Sequence, residues 1–178
     1  MPECRDDRPT VGVSACLLGE AVRYDGRDKR HARLVDELGP RVHWVSICPE
    51  VEAGLGVPRE PIRLEQRDGG IRVRRVETRT DLTERLASWA QVRLAALPPL
   101  DGYVLKSGSP SCGRKQVPVH DEQGEVIDEN AGFFARALRA SFPDLPIVTE
   151  QDLETAGNQA LFLLVVQSRF RTRRGGPA

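Results

Sequence analysis

The sequence lacks an excess of charge of either sign, because its 26 Lys and Arg residues are balanced by 26 Asp and Glu residues. Proteins that bind nucleic acid or anionic membranes usually carry a basic surplus, so neither partner is expected. No run approaches the roughly 18 apolar residues of a membrane span, and the amino-terminal segment has no signal-peptide pattern. We therefore expect a cytoplasmic protein that recognises a small molecule and has no contact with a membrane.

Cysteine is scarce, with four residues in a chain of 178, and no two of them form a C-x-x-C pair. Intracellular thiols are kept reduced, so a disulfide framework is not expected in such a protein. Metal binding or catalysis by these thiols is therefore the more specific hypothesis. The alternative is that these cysteines are small, buried, apolar side chains.

The remaining pattern alternates short apolar runs with segments of helical periodicity. Strands are predicted over 10–15, 43–48, 102–106 and 146–150, and helices over 31–38, 81–97, 132–142 and 152–169. Asp81 and Glu84 fit a capping box at the start of the second helix. The region 58–77 reads as a hairpin with a Gly-containing turn, which predicts a small antiparallel annex on one edge of the sheet.

This alternation predicts an α/β fold: one Rossmann-like domain with a mostly parallel sheet and helices on both of its faces. We expect a flexible amino terminus over 1–8, the domain over 9–170, and a flexible carboxyl-terminal tail over 171–178, whose Arg and Gly residues offer little to pack. The sequence does not predict an oligomeric state.

Three cysteines each end a predicted strand or follow one closely: Cys16, Cys48 and Cys112. The carboxyl ends of parallel strands share one edge of a sheet, so we expect these thiols to meet. The Gly and Pro residues beside them suit turns whose N–H groups favour thiolates, although ordinary βα turns have the same composition. Structural zinc takes four protein ligands, whereas three thiolates on a [4Fe-4S] cluster leave one iron free. Cys4 is a possible fourth ligand.

Three segments carry a resemblance to a known family: VSACLLGEAVRYDG, VSICPEVEAGLGVPREP and YVLKSGSPSCG. Together they resemble the signature segments of the DUF523 family, whose characterised members are thiouracil desulfurases, over about residues 9 to 153. The resemblance implies a [4Fe-4S] cluster held by Cys16, Cys48 and Cys112. It also implies non-redox removal of sulfur from a thiolated nucleobase such as 2-thiouracil, whose sulfur binds the free iron before water replaces it on carbon.

Two residues are candidates for proton transfer in that reaction. Glu50, two positions after Cys48, is the first candidate for acid/base chemistry, because it should face the same crevice. Its alternative is a surface or helix-capping carboxylate. Ser109 is the second candidate, as a hydroxyl that orients water or binds the substrate.

Five further residues are predicted to bind the substrate. Tyr24 and Asp25 suit a pyrimidine, one by stacking and the other by hydrogen bonding, although Asp25 also fits a simple turn. The others are Ser14, Ser107 and Lys106, and the lysine could equally extend along the surface at a strand end. Two alternative functions stay open, a cluster-bearing sensor or accessory protein without turnover and a zinc-bound structural domain.

Overall fold

A computed structural model describes residues 7–175, which build two four-stranded sheets. The first sheet is wholly parallel and contains β1 (Thr10–Ser14), β2 (His43–Ile47), β5 (Gly102–Leu105) and β8 (Ile147–Thr149) in the order β2-β1-β5-β8. The second sheet contains β3 (Ile62–Arg67), β4 (Gly70–Arg75), β6 (Val117–His120) and β7 (Val126–Asn130) in the order β4-β3-β6-β7.

Helices cover both faces of the parallel sheet. Residues 7–175 contain four α-helices: α1 (Pro49–Glu52), α2 (Thr83–Ala95), α3 (Phe133–Ser141) and α4 (Ala156–Arg173). A π-helical segment spans Arg33–Leu38, and short 3₁₀ turns span Ala15–Leu18, Gly39–Arg41 and Gln151–Leu153. The predicted α/β class with helices on both faces is confirmed.

Two apolar clusters lie on opposite faces of this sheet. One face, represented by Val13 and Val104, packs on the π-helical segment and on Phe162 and Val166 of α4. The other face, represented by Tyr103, packs on α2, α3 and the second sheet. Alternating strand side chains point to opposite faces, so β5 supplies Tyr103 and Leu105 to one cluster and Val104 to the other.

The hairpin over 58–77 is present, but it is not an edge of the parallel sheet. Strand β3 pairs antiparallel with β4 and parallel with β6, so the hairpin combines with the β6–β7 hairpin into a separate sheet. Leu64, Val73 and Val119 on its inner face are almost fully buried. This inner face has an apolar partner in α2 and α3, so the strands pack there and do not extend the first sheet.

Two local expectations differ from the structure. Helix α2 begins at Thr83, and the Asp81 carboxylate accepts a hydrogen bond from the Thr83 N–H at 2.8 Å, so the Asp81–Glu84 capping box is not formed. Helix α4 runs to Arg173, whose guanidinium binds the buried carboxylate of Asp101 at 3.0 Å. Residues 171–173, which were predicted to belong to a flexible tail, are therefore helical, because Arg173 forms an ion pair with the buried carboxylate of Asp101. Among residues 7–175 there is no helix that combines the length and hydrophobicity needed to cross a membrane.

Candidate active site and metal centre

One cavity of about 290 Å³ opens at the carboxyl ends of β1, β2 and β5. Its wall includes the thiols of Cys16, Cys48 and Cys112. Cys16 lies in the 3₁₀ turn directly after β1, Cys48 follows β2, and Cys112 lies in the loop after β5. Cys4 lies outside the described residues.

The three thiols are free and lie within electrostatic range of one another. Burial, together with a smaller contribution from the neighbouring Cys48, raises the pKa of Cys16 to about 11. Burial likewise raises the pKa values of Cys48 and Cys112. A hydrogen bond with Ser14 opposes this shift in the pKa of Cys112. Thiolates in such a site need a compensating positive charge, which a bound metal would provide.

Glu50 lies on the cavity wall with its carboxylate held at both oxygens. Arg59 donates from Nε to one oxygen at 2.7 Å, and the Ser111 hydroxyl donates to the other at 2.7 Å. The Arg59 side chain is 4% exposed and that of Glu50 is 13% exposed. Each carboxylate oxygen can accept a second hydrogen bond, so Glu50 retains capacity for a water or a substrate proton.

Ser109 organises the loop that carries Cys112. Its hydroxyl oxygen accepts hydrogen bonds from the backbone N–H groups of Ser111 and Cys112, both at 3.1 Å. These bonds use the lone pairs of the hydroxyl and leave its proton available for donation. Gly132, just before α3, packs so closely on this loop that an added Cβ would lie 2.4 Å from the Ser111 carbonyl oxygen.

Lys106 and Ser107 are already engaged in a partly buried ionic network. The Lys106 ammonium donates to Glu150 at 2.6 Å, to the Ser107 carbonyl at 2.8 Å and to the Ser107 hydroxyl at 3.1 Å. These three acceptors match the three ammonium protons, so the lysine has none left for a substrate. Glu150 is 7% exposed. Burial would raise the pKa of Glu150, but hydrogen bonds from Lys106 and Ser107 outweigh it and lower the pKa.

Of the remaining residues predicted to bind substrate, Tyr24 and Ser14 line the cavity and Asp25 does not. Tyr24 lines the cavity, is 42% exposed, and has the Arg23 guanidinium 5.7 Å from its ring centroid. Ser14 also lines the cavity, but its hydroxyl accepts the Lys106 N–H at 2.9 Å. Asp25 is exposed and does not line the cavity, and its carboxylate accepts the Arg27 N–H at 3.1 Å, as in a simple turn.

The chain matches the model of the 2-thiouracil desulfurase family over residues 11–150. This protein belongs to that family. A curated relative, uncharacterized protein YbbK of Bacillus subtilis (strain 168), is 32% identical over 111 residues, which cover 57% of this chain and 71% of the relative. A solved structure of [4Fe-4S]-dependent thiouracil desulfidase TudS is 30% identical, with a TM-score of 0.67 over 86% of this chain and 99% of that one.

Two residues of the site were missed by reasoning from the sequence. Glu150 directly follows β8, so the strand-end rule that selected the cysteines would also have selected it. Arg59 lies in the segment VPREP, which belongs to the family resemblance, but nothing in its local pattern says that it folds back on Glu50. A contact between residues nine apart in an irregular loop has no periodic signal.

Proposed function

We propose that the protein removes the sulfur of a thiolated nucleobase such as 2-thiouracil, with a [4Fe-4S] cluster held by Cys16, Cys48 and Cys112. One observation carries the proposal: thiols from three strand ends line one cavity together with the carboxylate of Glu50. The reaction exchanges a thiocarbonyl for a carbonyl, because water supplies oxygen to the ring carbon and sulfur leaves as sulfide. No electrons are gained or lost in this exchange.

The donor set fits a cluster better than a single ion. Among residues 7–175, no group of three His, Cys, Asp or Glu side chains is close enough to hold one metal ion. Zinc–sulfur bonds of about 2.3 Å place the sulfurs of one tetrahedral ion roughly 4 Å apart. In a cluster each thiolate binds a different iron, so the sulfurs stand further apart. Cys16, Cys48 and Cys112 supply three protein ligands, one fewer than structural zinc takes.

Tyr103 has a buried hydroxyl that lies within electrostatic range of the site. Its hydroxyl is fully buried and, within the described part of the chain, has no hydrogen-bond partner. Cys112 and Cys48 lie near enough to raise the pKa of this hydroxyl, after the larger effect of burial. When bound, the cluster would offer an iron without a protein thiolate as a soft Lewis acid for the substrate's sulfur.

Glu50 is proposed to accept a proton from the attacking water. Arg59 and Ser111 fix the orientation of its carboxylate, and the free lone pairs face a cavity that the substrate would fill. A proton acceptor held in one orientation lowers the entropic cost of water attack. Arg59 acts through Glu50 and is a positioning residue.

Ser109 and Tyr24 are proposed to bind the substrate. The free proton of the Ser109 hydroxyl suits a donor to the exocyclic or ring acceptors of a pyrimidine. Tyr24 has one aromatic face near Arg23 and is exposed enough for a base to stack on its ring. Lys106 and Ser107 instead stabilise the cavity wall through Glu150, and Lys106 favours the thiolate form of Cys16 by its positive charge.

The experiment is sulfide release and uracil formation from 2-thiouracil by protein reconstituted with iron and sulfide without oxygen. Cys16→Ala, Cys48→Ala and Cys112→Ala should each lose the visible absorption of the cluster and the turnover. Cys4→Ala is the matched control and should keep both. Turnover by the triple variant of Cys16, Cys48 and Cys112 would disprove the proposal, whereas a stable cluster without turnover would favour a sensor or accessory protein.

A further inference from the structure

Helix α4 presents an apolar stripe to solvent on the side opposite its packed residues. Leu161 and Leu164 are 62% and 64% exposed, which makes them the most exposed leucines among residues 7–175, and Val165 beside them is 39% exposed. The residues that α4 buries are Gln159, Phe162, Leu163 and Val166. Single exposed apolar residues are ordinary, but a contiguous stripe on one helix face marks an interaction surface.

The stripe has the spacing of a helix–helix seam. Gly157, Leu161, Leu164 and Ser168 follow one another at intervals of four, three and four residues, as in a coiled-coil repeat. An antiparallel copy of the helix, with a two-fold axis between Leu161 and Leu164, places each leucine against the other leucine of the second copy. The same register places Gly157 opposite Ser168, so two small residues allow close approach at both ends of the seam.

The charges beside the stripe fit the same register. Glu154, just before the helix, has a side chain that is 61% exposed, and its carboxylate lies 3.4 Å from the His31 ring. Arg171, near the other end of the helix, is exposed. The pairing that joins Leu161 to Leu164 brings the amino-terminal end of the helix, with Glu154 just before it, beside Arg171 of the second copy, so opposite charges meet at both ends of an antiparallel pair. A parallel pair would align the acidic ends with each other and the basic ends with each other.

We propose that α4 is the interface of a two-fold symmetric homodimer, in which two copies of the helix pair antiparallel across Leu161 and Leu164. The occupant is a second copy of this chain, because both the apolar seam and the charges are complementary to themselves. One helix pair is a small interface, so the dimer is a reversible one that forms at high protein concentration. This association does not depend on the cluster or on the reaction.

The first test is sedimentation velocity from roughly 10 to 500 µM protein, a range that covers weak association. The wild type should change from monomer to dimer across this range. Leu161→Glu/Leu164→Glu should stay monomeric, because it places charges at the centre of the seam. Val92→Glu is the matched control, since Val92 is 72% exposed on a different helix and its variant should dimerise like the wild type.

The second test exchanges the charges of Glu154 and Arg171 and reports whether the two helices pair in the antiparallel register. Glu154→Arg and Arg171→Glu should each weaken dimerisation by about fivefold, since each variant converts two surface ion pairs into like-charge pairs. The double variant Glu154→Arg/Arg171→Glu should return to within about twofold of the wild type, because the opposite charges face each other again. Circular dichroism should give all variants the same helical content.

Three results would overturn the proposal. One is a wild type that remains monomeric across the whole concentration range. Another is dimerisation by the Leu161→Glu/Leu164→Glu variant, which would place the interface elsewhere or on another segment of the chain. A third is failure of the double charge variant to recover, which would exclude the antiparallel register.

Discussion

Replacing Arg59 with Met tests whether the carboxylate of Glu50 depends on its buried guanidinium partner. The methionine keeps the apolar stem and removes the charge. Arg59 is 4% exposed and Glu50 13%, so the variant leaves a nearly buried carboxylate with only Ser111 as a donor. Removing one partner of a buried ion pair costs about 3 to 5 kcal/mol of unfolding free energy. The carboxylate also loses its orientation, which should lower kcat by about 10²-fold.

The chain offers a matched control in the ion pair of Arg93 with Glu52, whose carboxylate lies on the same short helix as that of Glu50. Arg93 donates from Nε to Glu52 at 2.7 Å, the same distance and donor atom as in the Arg59–Glu50 pair, but these side chains are 27% and 31% exposed. Arg93→Met should therefore cost less than about 1 kcal/mol and leave kcat unchanged. Urea denaturation gives the stability of each variant, and sulfide release at a temperature where both are folded gives kcat and KM separately.

Arg59→Lys should have an effect on stability and kcat that lies between those of the wild type and Arg59→Met. A lysine restores the positive charge but cannot donate to Glu50 and to the Gly56 carbonyl with the fork geometry of arginine. We expect partial recovery of stability and a kcat between those of the wild type and Arg59→Met. A Met variant with wild-type kcat would refute the positioning role, and a loss of stability no larger than that of Arg93→Met would refute the energetic argument.

Three further predictions follow from buried contacts. Glu65 is fully buried and forms ion pairs with Arg63, Arg67, Arg74 and Arg79. Burial is the largest single effect and would raise the pKa of Glu65, but hydrogen bonds from Arg63, Arg67 and Arg74 together lower it from 4.5 to about 2. Glu65→Gln should lower the free energy of unfolding by about 3 to 5 kcal/mol at neutral pH, measured by urea denaturation. As the pH falls from 4.5 towards 2, this variant should lose less stability than the wild type, because it has no carboxylate to protonate. Glu122→Gln is the control at an exposed carboxylate and should cost under about 1 kcal/mol. Gly132→Ala should displace the Cys112 loop and lower cluster content, measured as iron per protein, while Gly70→Ala, whose Cβ meets only ordinary contacts, should not. Ser109→Ala should raise KM for 2-thiouracil and weaken the loop, and a wild-type KM would show that its hydroxyl does not contact the substrate.

The parallel sheet could be predicted because each of its strands is a short apolar run followed by a helix or a turn. The carboxyl ends of parallel strands lie at one edge of a sheet whatever the side-chain contacts are, so the sequence alone predicts that Cys16, Cys48 and Cys112 lie at one edge. The second sheet could not be fully predicted. Its hairpin over 58–77 is visible in the sequence, but the parallel pairing of Leu64 with Val119 joins segments 55 residues apart, and periodicity carries no signal for such a pairing.

The polar contacts of the site were harder to predict than its position. Lys106 was expected to bind substrate, yet the structure gives all of its protons to Ser107 and Glu150. Asp25 forms a turn, which was the alternative given with its binding role. In both cases the residue type fits two roles equally well, and only the position of its partner decides between them.

The second sheet holds together the two segments of the site that carry Arg59 and Cys112. Strand β3 follows directly on the segment that carries Arg59, and β6 follows the loop that carries Cys112. Because β3 and β6 pair with each other, the wall that holds Glu50 and the loop that holds one cysteine are fixed to a common element. The parallel sheet alone would place the cysteines at one edge but would leave both segments free to move apart. The cavity therefore depends on the two sheets together, and weakening the β3–β6 pairing should affect cluster retention before it affects the parallel core.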